Sequence, residues 1–194
     1  MKHTSSRELY AYWNGRRGKR MAPDRADIEP GAIRRALGDS FILAFDPAGG
    51  HPFRLAGTRL CGLFNSELRN EAFDSLWAPE NRQAVHDLVL TVADEMAGVV
   101  AGATGYTPEG YTIDLEFLLL PLRHGGNTHA RQMGVIAPLT SPYWLGSSPI
   151  IELTLGSHRH LLAETTQAPV PHPNDPTSRV RHGFLVYDGG RADQ

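Results

Sequence analysis

Apolar positions between residues 40 and 77 predict two short strands that lead into a cluster of small helices. Residues 41–45 form a compact apolar run, which ends at a turn rich in Asp, Pro and Gly at 46–50. Residues 52–58 then alternate as a half-buried strand does. Apolar side chains at helical spacing follow in two groups: Leu60, Leu63 and Phe64, then Phe73, Leu76 and Trp77. A hairpin that leads into short helices is typical of a pocketed sensor domain rather than of a catalytic scaffold.

The middle of the chain predicts one longer helix and a set of strands. Pro79 suits the first position of a helix, which we expect to run to about Ala97. Its apolar stripe is spaced by three and four residues and comprises Val85, Leu88, Val89, Val92 and Met96. Strands are predicted at residues 98–106, 111–122 and 128–139. A further run at 150–156 is either another strand or the exit from the sheet.

The second of these strands alternates clearly between its two faces. One face carries Ile113, Leu115, Phe117 and Leu119, and the other begins with Thr112, Asp114 and Glu116. The polar face turns apolar at Leu118 and Leu120, which indicates that another element covers its far end. The N-terminal helix is the natural cover.

That N-terminal helix is predicted from a capping box at residues 5–8 and from its aromatic side. It carries Leu9, Tyr10, Tyr12 and Trp13, and we expect Gly15 or, at the latest, Gly18 to end it. A helix of about ten residues is unstable alone in water, so it must pack on something. Residues 16–25 follow as a basic connector, and residues 30–37 predict a short helix.

Composition narrows the class of protein. The chain has 194 residues, 41% of them hydrophobic and 21% charged, which suits one soluble domain with extensions. A net charge of −2 gives no general attraction to nucleic acid or to an anionic membrane, and no apolar run could span a bilayer. The single cysteine, Cys61, excludes a disulfide framework and a multi-cysteine metal site. Because the first residues lack the apolar stretch of a signal peptide, we expect a cytoplasmic protein with no nucleic-acid or membrane partner.

The order of elements resembles that of a PAS domain. The resemblance implies an α+β fold, in which a five-stranded antiparallel sheet carries short helices on one face and an N-terminal flanking helix precedes it. Five segments resemble a PAS-like family common in alphaproteobacteria and long described as a domain of unknown function: residues 12–18, 23–28, 53–58, 73–77 and 187–191. The resemblance implies a stand-alone module that regulates through protein contacts, with no attached kinase, cyclase or helix-turn-helix output.

Three regions follow from this organisation. Residues 1–38 form the flanking helix and connector, and residues 39–160 form the PAS domain. Residues 161–194 form a Pro-rich linker and a tail, in which residues 183–190 are either a short strand or a segment that orders on binding.

A small-molecule cavity is expected between the helices and the inward face of the sheet. The large or adaptable residues predicted to line it are Leu60, Phe64, Trp77, Met96, Phe117 and Met133. The alternative is that these six side chains simply fill the core. The pattern does not identify a ligand or a cofactor.

The flanking helix supplies the predicted dimer interface. The resemblance to PAS proteins, in which such a helix often forms the dimer contact, assigns Leu9, Tyr10 and Trp13 to a homodimer interface. The alternative is that these residues pack within their own subunit.

Candidate chemistry is sparse. His158 and His160 share one face of an extended segment, but no third ligand lies at a spacing typical of a zinc site. His86 could ligate haem iron, but no other residues typical of a haem site accompany it. We therefore expect no metal site. Cys61 is expected to be a buried, inert thiol, and Glu116 a solvent-facing carboxylate.

The function predicted from these observations is that of a non-enzymatic sensor or regulator in signal transduction, which binds a small molecule, a partner protein, or both. One alternative is a purely structural protein-interaction module with a filled core. Another is an enzyme whose site is assembled from residues distant in sequence.

Overall fold

The computed structural model describes residues 1–161 and two short strands at 178–181 and 184–187. The helices are α1 (Thr4–Arg17), α2 (Thr58–Phe64) and α3 (Pro79–Glu95), and short 3₁₀ helices lie at Arg25–Asp27, Pro30–Ile33, Leu37–Asp39 and Phe73–Leu76. The strands are β1 (Ser40–Ala44), β2 (Phe53–Ala56), β3 (Gly98–Tyr106), β4 (Thr112–His124), β5 (Asn127–Pro138), β6 (Glu152–Leu161), β7 (Ser178–Arg181) and β8 (Phe184–Tyr187).

The main sheet has six strands, not the five that the resemblance implied. Every pair in it is antiparallel, and the order is β2-β1-β5-β4-β3-β6. The sixth strand is the run at 150–156, which continues to Leu161 along β3. The sequence understates it because its outer half is polar and exposed, as an edge strand can be.

Two hydrophobic cores lie on opposite faces of this sheet. The first core contains α2, α3 and the 3₁₀ helix Phe73–Leu76, together with the face of β4 that bears Phe117 and Leu119. The second core contains Leu9 and Trp13 of α1 and the opposite face of β4. The predicted alternation of β4 and the predicted cover by the N-terminal helix are therefore confirmed.

Helix α1 begins differently from the prediction. Its N-cap is His3, whose ring accepts the backbone N–H of Ser5 at 3.2 Å. The Ser5 hydroxyl donates to buried Asp39 at 2.6 Å, so it is not available for a capping box. The helix continues through Gly15 and ends at Gly18, which has a positive φ of 55°.

Helix α3 has the predicted start and an end two residues short of the predicted one. Val85, Leu88, Val89 and Val92 are buried in the first core, as the stripe predicts. Met96 ends the helix in the left-handed conformation and lies instead in the second core.

The chain divides into two compact units, residues 1–163 and 164–194. In the second unit, β7 and β8 pair as an antiparallel hairpin, with Ser178 opposite Tyr187. The predicted Pro-rich linker at 168–176 lies outside the described residues. Within the described residues, no helix is both long and apolar enough to cross a membrane.

Candidate functional site

The predicted ligand residues on the helix side lie in a packed aromatic cluster. Leu60, Trp77 and Phe117 are fully buried there, and Phe64 is partly buried against the same core. The Phe117 ring centroid lies 5.5 Å from that of Trp77 and 5.6 Å from that of Phe73. Phe41 and Phe53 extend the same cluster. Four of the six side chains that were expected to surround a cavity, those of Leu60, Phe64, Trp77 and Phe117, therefore belong to one core on the helix side of the sheet.

One polar atom in the aromatic cluster is unaccounted for. The indole Nε1–H of Trp77 is buried, and it has no hydrogen-bond partner among the residues that the structure describes. A buried donor of this kind carries a desolvation cost unless a water or a ligand accepts a hydrogen bond from it.

The two predicted methionines do not join this cluster. Met96 and Met133 lie in the second core, on the α1 side of the sheet. The prediction grouped all six residues around one cavity because a sequence pattern does not show which face of a strand a neighbouring helix covers. The structure divides the six between two separate cores.

The predicted interface residues are divided as well. Leu9 and Trp13 are buried against the chain's own sheet, and the Trp13 indole N–H donates to the carbonyl of Pro121 at 2.8 Å. Tyr10 stacks on Trp13 with 6.1 Å between ring centroids and remains partly exposed. Two of the three side chains thus contribute to the packing of their own subunit, which is the alternative that the sequence left open.

Glu116 is buried rather than solvent-facing. Its carboxylate accepts the backbone N–H groups of Lys2 and His3, so it holds the start of the chain against the sheet. Burial raises the pKa of Glu116, but its hydrogen bonds, with that from the Lys2 N–H the largest contribution, and the positive N-terminus together outweigh burial, so the net pKa lies below its ordinary value. A cleft of about 280 Å³ adjoins this carboxylate and is lined by Met1, Lys2, Val100, Glu116, Ser157, His158 and Arg159.

Other residues singled out by the sequence form local contacts. His160 lies 3.6 Å from a carboxylate oxygen of Glu95, and its ring centroid is 6.1 Å from that of His158. Cys61 is only partly buried, with Sγ 3.8 Å from a carboxylate oxygen of Glu67, which corrects the expectation of a fully buried thiol.

A cluster of two histidines and one carboxylate lies at the end of the β1–β2 hairpin. It consists of His51, Asp74 and His86, and one ligand atom from each residue lies within 4.8 Å of the other two. Nδ1 of His86 is 3.0 Å from Oδ2 of Asp74, and the two imidazole ring centroids are 4.8 Å apart. This set of residues combines two borderline nitrogen donors with one hard oxygen donor.

Three different elements bring these residues together. His51 leaves the β1–β2 turn with a positive φ of 56°, Asp74 lies in the 3₁₀ helix Phe73–Leu76, and His86 lies in α3. The turn is held to the 3₁₀ helix because Asp74 N–H donates to the carbonyl of Gly50 at 3.3 Å. A Cβ at Gly50 would lie 3.0 Å from Cβ of Ala72, so a residue without a side chain allows this close approach.

The environment of this cluster lowers the pKa of His51. The residue is completely buried, and burial lowers its pKa below the ordinary value. The Asp74 carboxylate opposes this effect, and the His86 ring reinforces it. Nε2 of His51 and Oδ1 of Asp74 are both buried without a hydrogen-bond partner among the described residues.

Such a cluster could hold a metal ion or relay a proton. A neutral imidazole has a lone pair for a metal, and a carboxylate supplies the charge. The described neighbourhood of the cluster shows no serine, threonine or cysteine hydrogen-bonded to either imidazole, so the geometry offers no activated nucleophile.

Sequence reasoning missed His51 and Asp74. His86 was noted, but its partners are 35 and 12 residues away along the chain, and neither spacing matches a helical or extended metal motif. The one usable sign was a histidine directly after the Gly49-Gly50 turn, where a solvated side chain is the ordinary expectation.

Comparison of the chain with known proteins finds one matching protein family. A family model described as "PAS domain" matches residues 1–137. No curated protein matches the chain in sequence.

Three solved structures illustrate the similarity. An RNA-binding light-oxygen-voltage (LOV) receptor is 19% identical with a TM-score of 0.43, over 57% of this chain and 33% of that one. The dark structure of the blue-light photoreceptor Aureochrome1 LOV is 18% identical with a TM-score of 0.44, over 58% and 83%. The LOV protein of Rhodobacter sphaeroides is 15% identical with a TM-score of 0.42, over 56% and 66%. The chain therefore spans only about a third of the RNA-binding receptor.

Proposed function

The chain belongs to the PAS domain family, and we propose that it is a signal-transduction protein that reads an input on the helix side of its sheet and passes it to α1. PAS domains are a family of signalling sensor modules. In this proposal the output is a contact with a partner protein, and the protein is a cytoplasmic, non-enzymatic regulator.

The observation that carries the proposal is the alternation of β4 between two cores. Phe117 and Leu119 pack with the helices, whereas Leu118 and Leu120 pack with α1. Because protein interiors are close-packed, a change in the first core that shifts β4 also changes the surface on which α1 lies. The strand is thus a short physical link between the input side and the output side.

Helix α1 is suited to the output role. Its inner side is held by buried Leu9 and by the Trp13 hydrogen bond to Pro121, while most of its other side chains remain at the surface. A state in which α1 packs differently would present a different surface to a partner protein. An input shifts this equilibrium only if it binds the two states with different affinity.

Association with a second copy of the chain is also expected. Of the three predicted interface residues, Tyr10 is the one with exposed surface, so a homodimer through α1 would rest on Tyr10 and the exposed residues around it. Leu9 and Trp13 would act indirectly, because they fix the orientation of the helix.

The unpartnered Trp77 N–H supports a second candidate function, the sensing of a small molecule within the first core. A ligand there would supply a hydrogen-bond acceptor and would have to displace rings of the aromatic cluster. Native mass spectrometry of freshly purified protein tests this candidate. A mass that exceeds the denatured mass supports a bound ligand, and an apo mass favours a filled interaction module.

Hydrogen exchange tests the coupling between the two faces. Phe117→Leu perturbs the aromatic cluster without touching α1, and Leu68→Ala serves as the control because Leu68 lies in the same core but on a connecting segment. We expect Phe117→Leu to change the opening free energy of the α1 amides by about 0.5–2 kcal/mol. If it changes α1 no more than Leu68→Ala does, the two faces are independent and the proposal is wrong.

A further inference from the structure

We propose that His51, Asp74 and His86 form a binding site for a divalent transition-metal ion of the zinc class. The site does not depend on the coupling to α1, because it rests on its own geometry. It differs from the cavity that the sequence predicted, since none of its residues belongs to the aromatic cluster.

Two unpartnered buried atoms are the first observation in support. Nε2 of His51 is completely buried, and Oδ1 of Asp74 is buried beside it, and neither has a partner among the described residues. Leaving such atoms unsatisfied costs the fold stability, because each has given up its hydration without gaining a partner. A bound cation would satisfy both atoms once the His51 proton has moved from Nε2 to Nδ1.

The separations of the ligand atoms are the second observation. A tetrahedral ion with bonds of about 2.0–2.1 Å holds its ligand atoms about 3.3 Å apart. Nδ1 of His86 and Oδ2 of Asp74 are 3.0 Å apart, and no pair in the cluster exceeds 4.8 Å. Binding therefore requires the widest pair to close by at most about 1.5 Å.

Proton positions in the cluster are consistent with binding once one proton moves. Nδ1 of His51 accepts the backbone N–H of Asp46 at 3.3 Å, a long contact, so the proton of the neutral ring lies on Nε2. Coordination through Nε2 moves that proton to Nδ1 and gives up the contact with the Asp46 N–H. In that tautomer Nδ1 carries a proton and requires a hydrogen-bond acceptor, as the outer ring nitrogen of a metal-bound histidine commonly has.

The ligand set selects the class of ion. Two imidazoles and one carboxylate suit Zn²⁺, Co²⁺ or Ni²⁺, whereas Ca²⁺ and Mg²⁺ prefer all-oxygen sites. Because three residues supply three ligands, a fourth position stays open to water or to a small exogenous ligand. The ion would also tie the β1–β2 hairpin to α3, so binding should stabilise the fold.

Metal titration of the full chain tests the site. The protein is first treated with a chelator, then titrated with Zn²⁺ by calorimetry and with Co²⁺ by visible absorption. We expect one ion per chain, cobalt bands of a four-coordinate site with nitrogen and oxygen ligands, and a higher melting temperature with Zn²⁺.

Ligand variants locate the ion. His86→Gln and Asp74→Asn change partly exposed side chains, and each should weaken Zn²⁺ binding by more than about 100-fold, beyond the usual cost of losing an outer-shell partner. His129→Gln is the matched control, because it removes a second His–Asp pair, 2.7 Å from Asp94, outside the cluster. Circular dichroism confirms that each variant is folded.

Three results would overturn the proposal. The first is no Zn²⁺ binding by the folded wild-type chain at micromolar concentration. The second is unchanged affinity in folded His86→Gln and Asp74→Asn. The third is an equal loss of affinity in His129→Gln, which would place the ion at surface histidines.

Discussion

Replacement of Trp13 gives the sharpest test of how the N-terminal helix is used. Trp13 is 3% exposed and donates its indole N–H to the Pro121 carbonyl. If it packs within its own subunit, Trp13→Ala should destabilise each chain, and any change in the number of chains in the assembly should accompany that loss of stability. If instead it forms the dimer contact, the variant should dissociate at little cost to the fold.

The structure sets the size of the expected loss. A buried tryptophan contributes about 150–250 Å² of surface, which at about 25 cal/mol/Å² corresponds to about 4–6 kcal/mol as an upper bound. Large-to-small replacements of buried aromatic residues typically cost about 3–5 kcal/mol. We therefore expect Trp13→Ala to lower the free energy of unfolding by about 3–5 kcal/mol, and Trp13→Phe by about 1–2 kcal/mol, chiefly through the lost hydrogen bond.

Urea denaturation followed by circular dichroism measures the loss, and sedimentation measures the assembly state of each variant. Tyr10→Ala is the matched control for the loss of stability alone, since Tyr10 lies on the same helix but is partly exposed. A loss below about 0.5 kcal/mol in Trp13→Ala, the range of ordinary surface replacements, would refute the docking of α1 described above. Conversion of a wild-type dimer to a stable monomer would refute the assignment of Trp13 to intrachain packing.

Three further outcomes follow from single contacts. Gly134→Ala should destabilise the fold by more than about 3 kcal/mol in thermal or urea unfolding, because the added Cβ would lie 2.2 Å from a strand carbonyl oxygen. Gly102→Ala is the control, since the atom nearest to its added Cβ is 4.0 Å away, and it should change the unfolding free energy by no more than about 0.5 kcal/mol. Glu116 has a folded-state pKa below its ordinary value, so its stabilising contribution is present above the ordinary carboxyl pKa and is lost as the pH falls through the lower folded value. Glu116→Gln should therefore reduce the dependence of the unfolding free energy on pH in the acid range. An unchanged dependence would contradict this account. Asp39→Asn should lower the free energy of unfolding by about 2–3 kcal/mol, since buried Asp39 accepts two hydrogen bonds from Arg59 at 2.7 Å. Arg59→Gln should lower it by less, because that side chain is 57% exposed. The reverse order in urea unfolding would contradict this account.

The fold was predictable because its elements have clean periodicity. Alternation in residues 112–120 identified both faces of β4, and the apolar stripe of residues 85–92 identified the buried side of α3. The sixth strand was left undecided because residues 157–160 are polar, and a strand at the edge of a sheet need not alternate.

The candidate sites were less predictable for a physical reason. Whether Met133 faces the helices or α1 depends on its register against β1, which the sequence of β5 alone does not contain. The meeting of His51, Asp74 and His86 depends on how a turn, a 3₁₀ helix and α3 pack together in the folded chain. Periodicity describes one element at a time, so it does not report such convergence.

The two ends of the six-stranded sheet bear on the protein's solubility. At one end of the sheet, β2 has only four residues. At the other end, β6 pairs with β3, with a register break between Ala101 and Ala103, and it also forms an isolated bridge from Leu153 to Trp77. The outer half of β6 exposes His158, Arg159 and His160. Short, charged or irregular edges are poor templates for the addition of further strands. These edges therefore disfavour edge-to-edge aggregation and the stacking of chains into extended β-structure at high protein concentration.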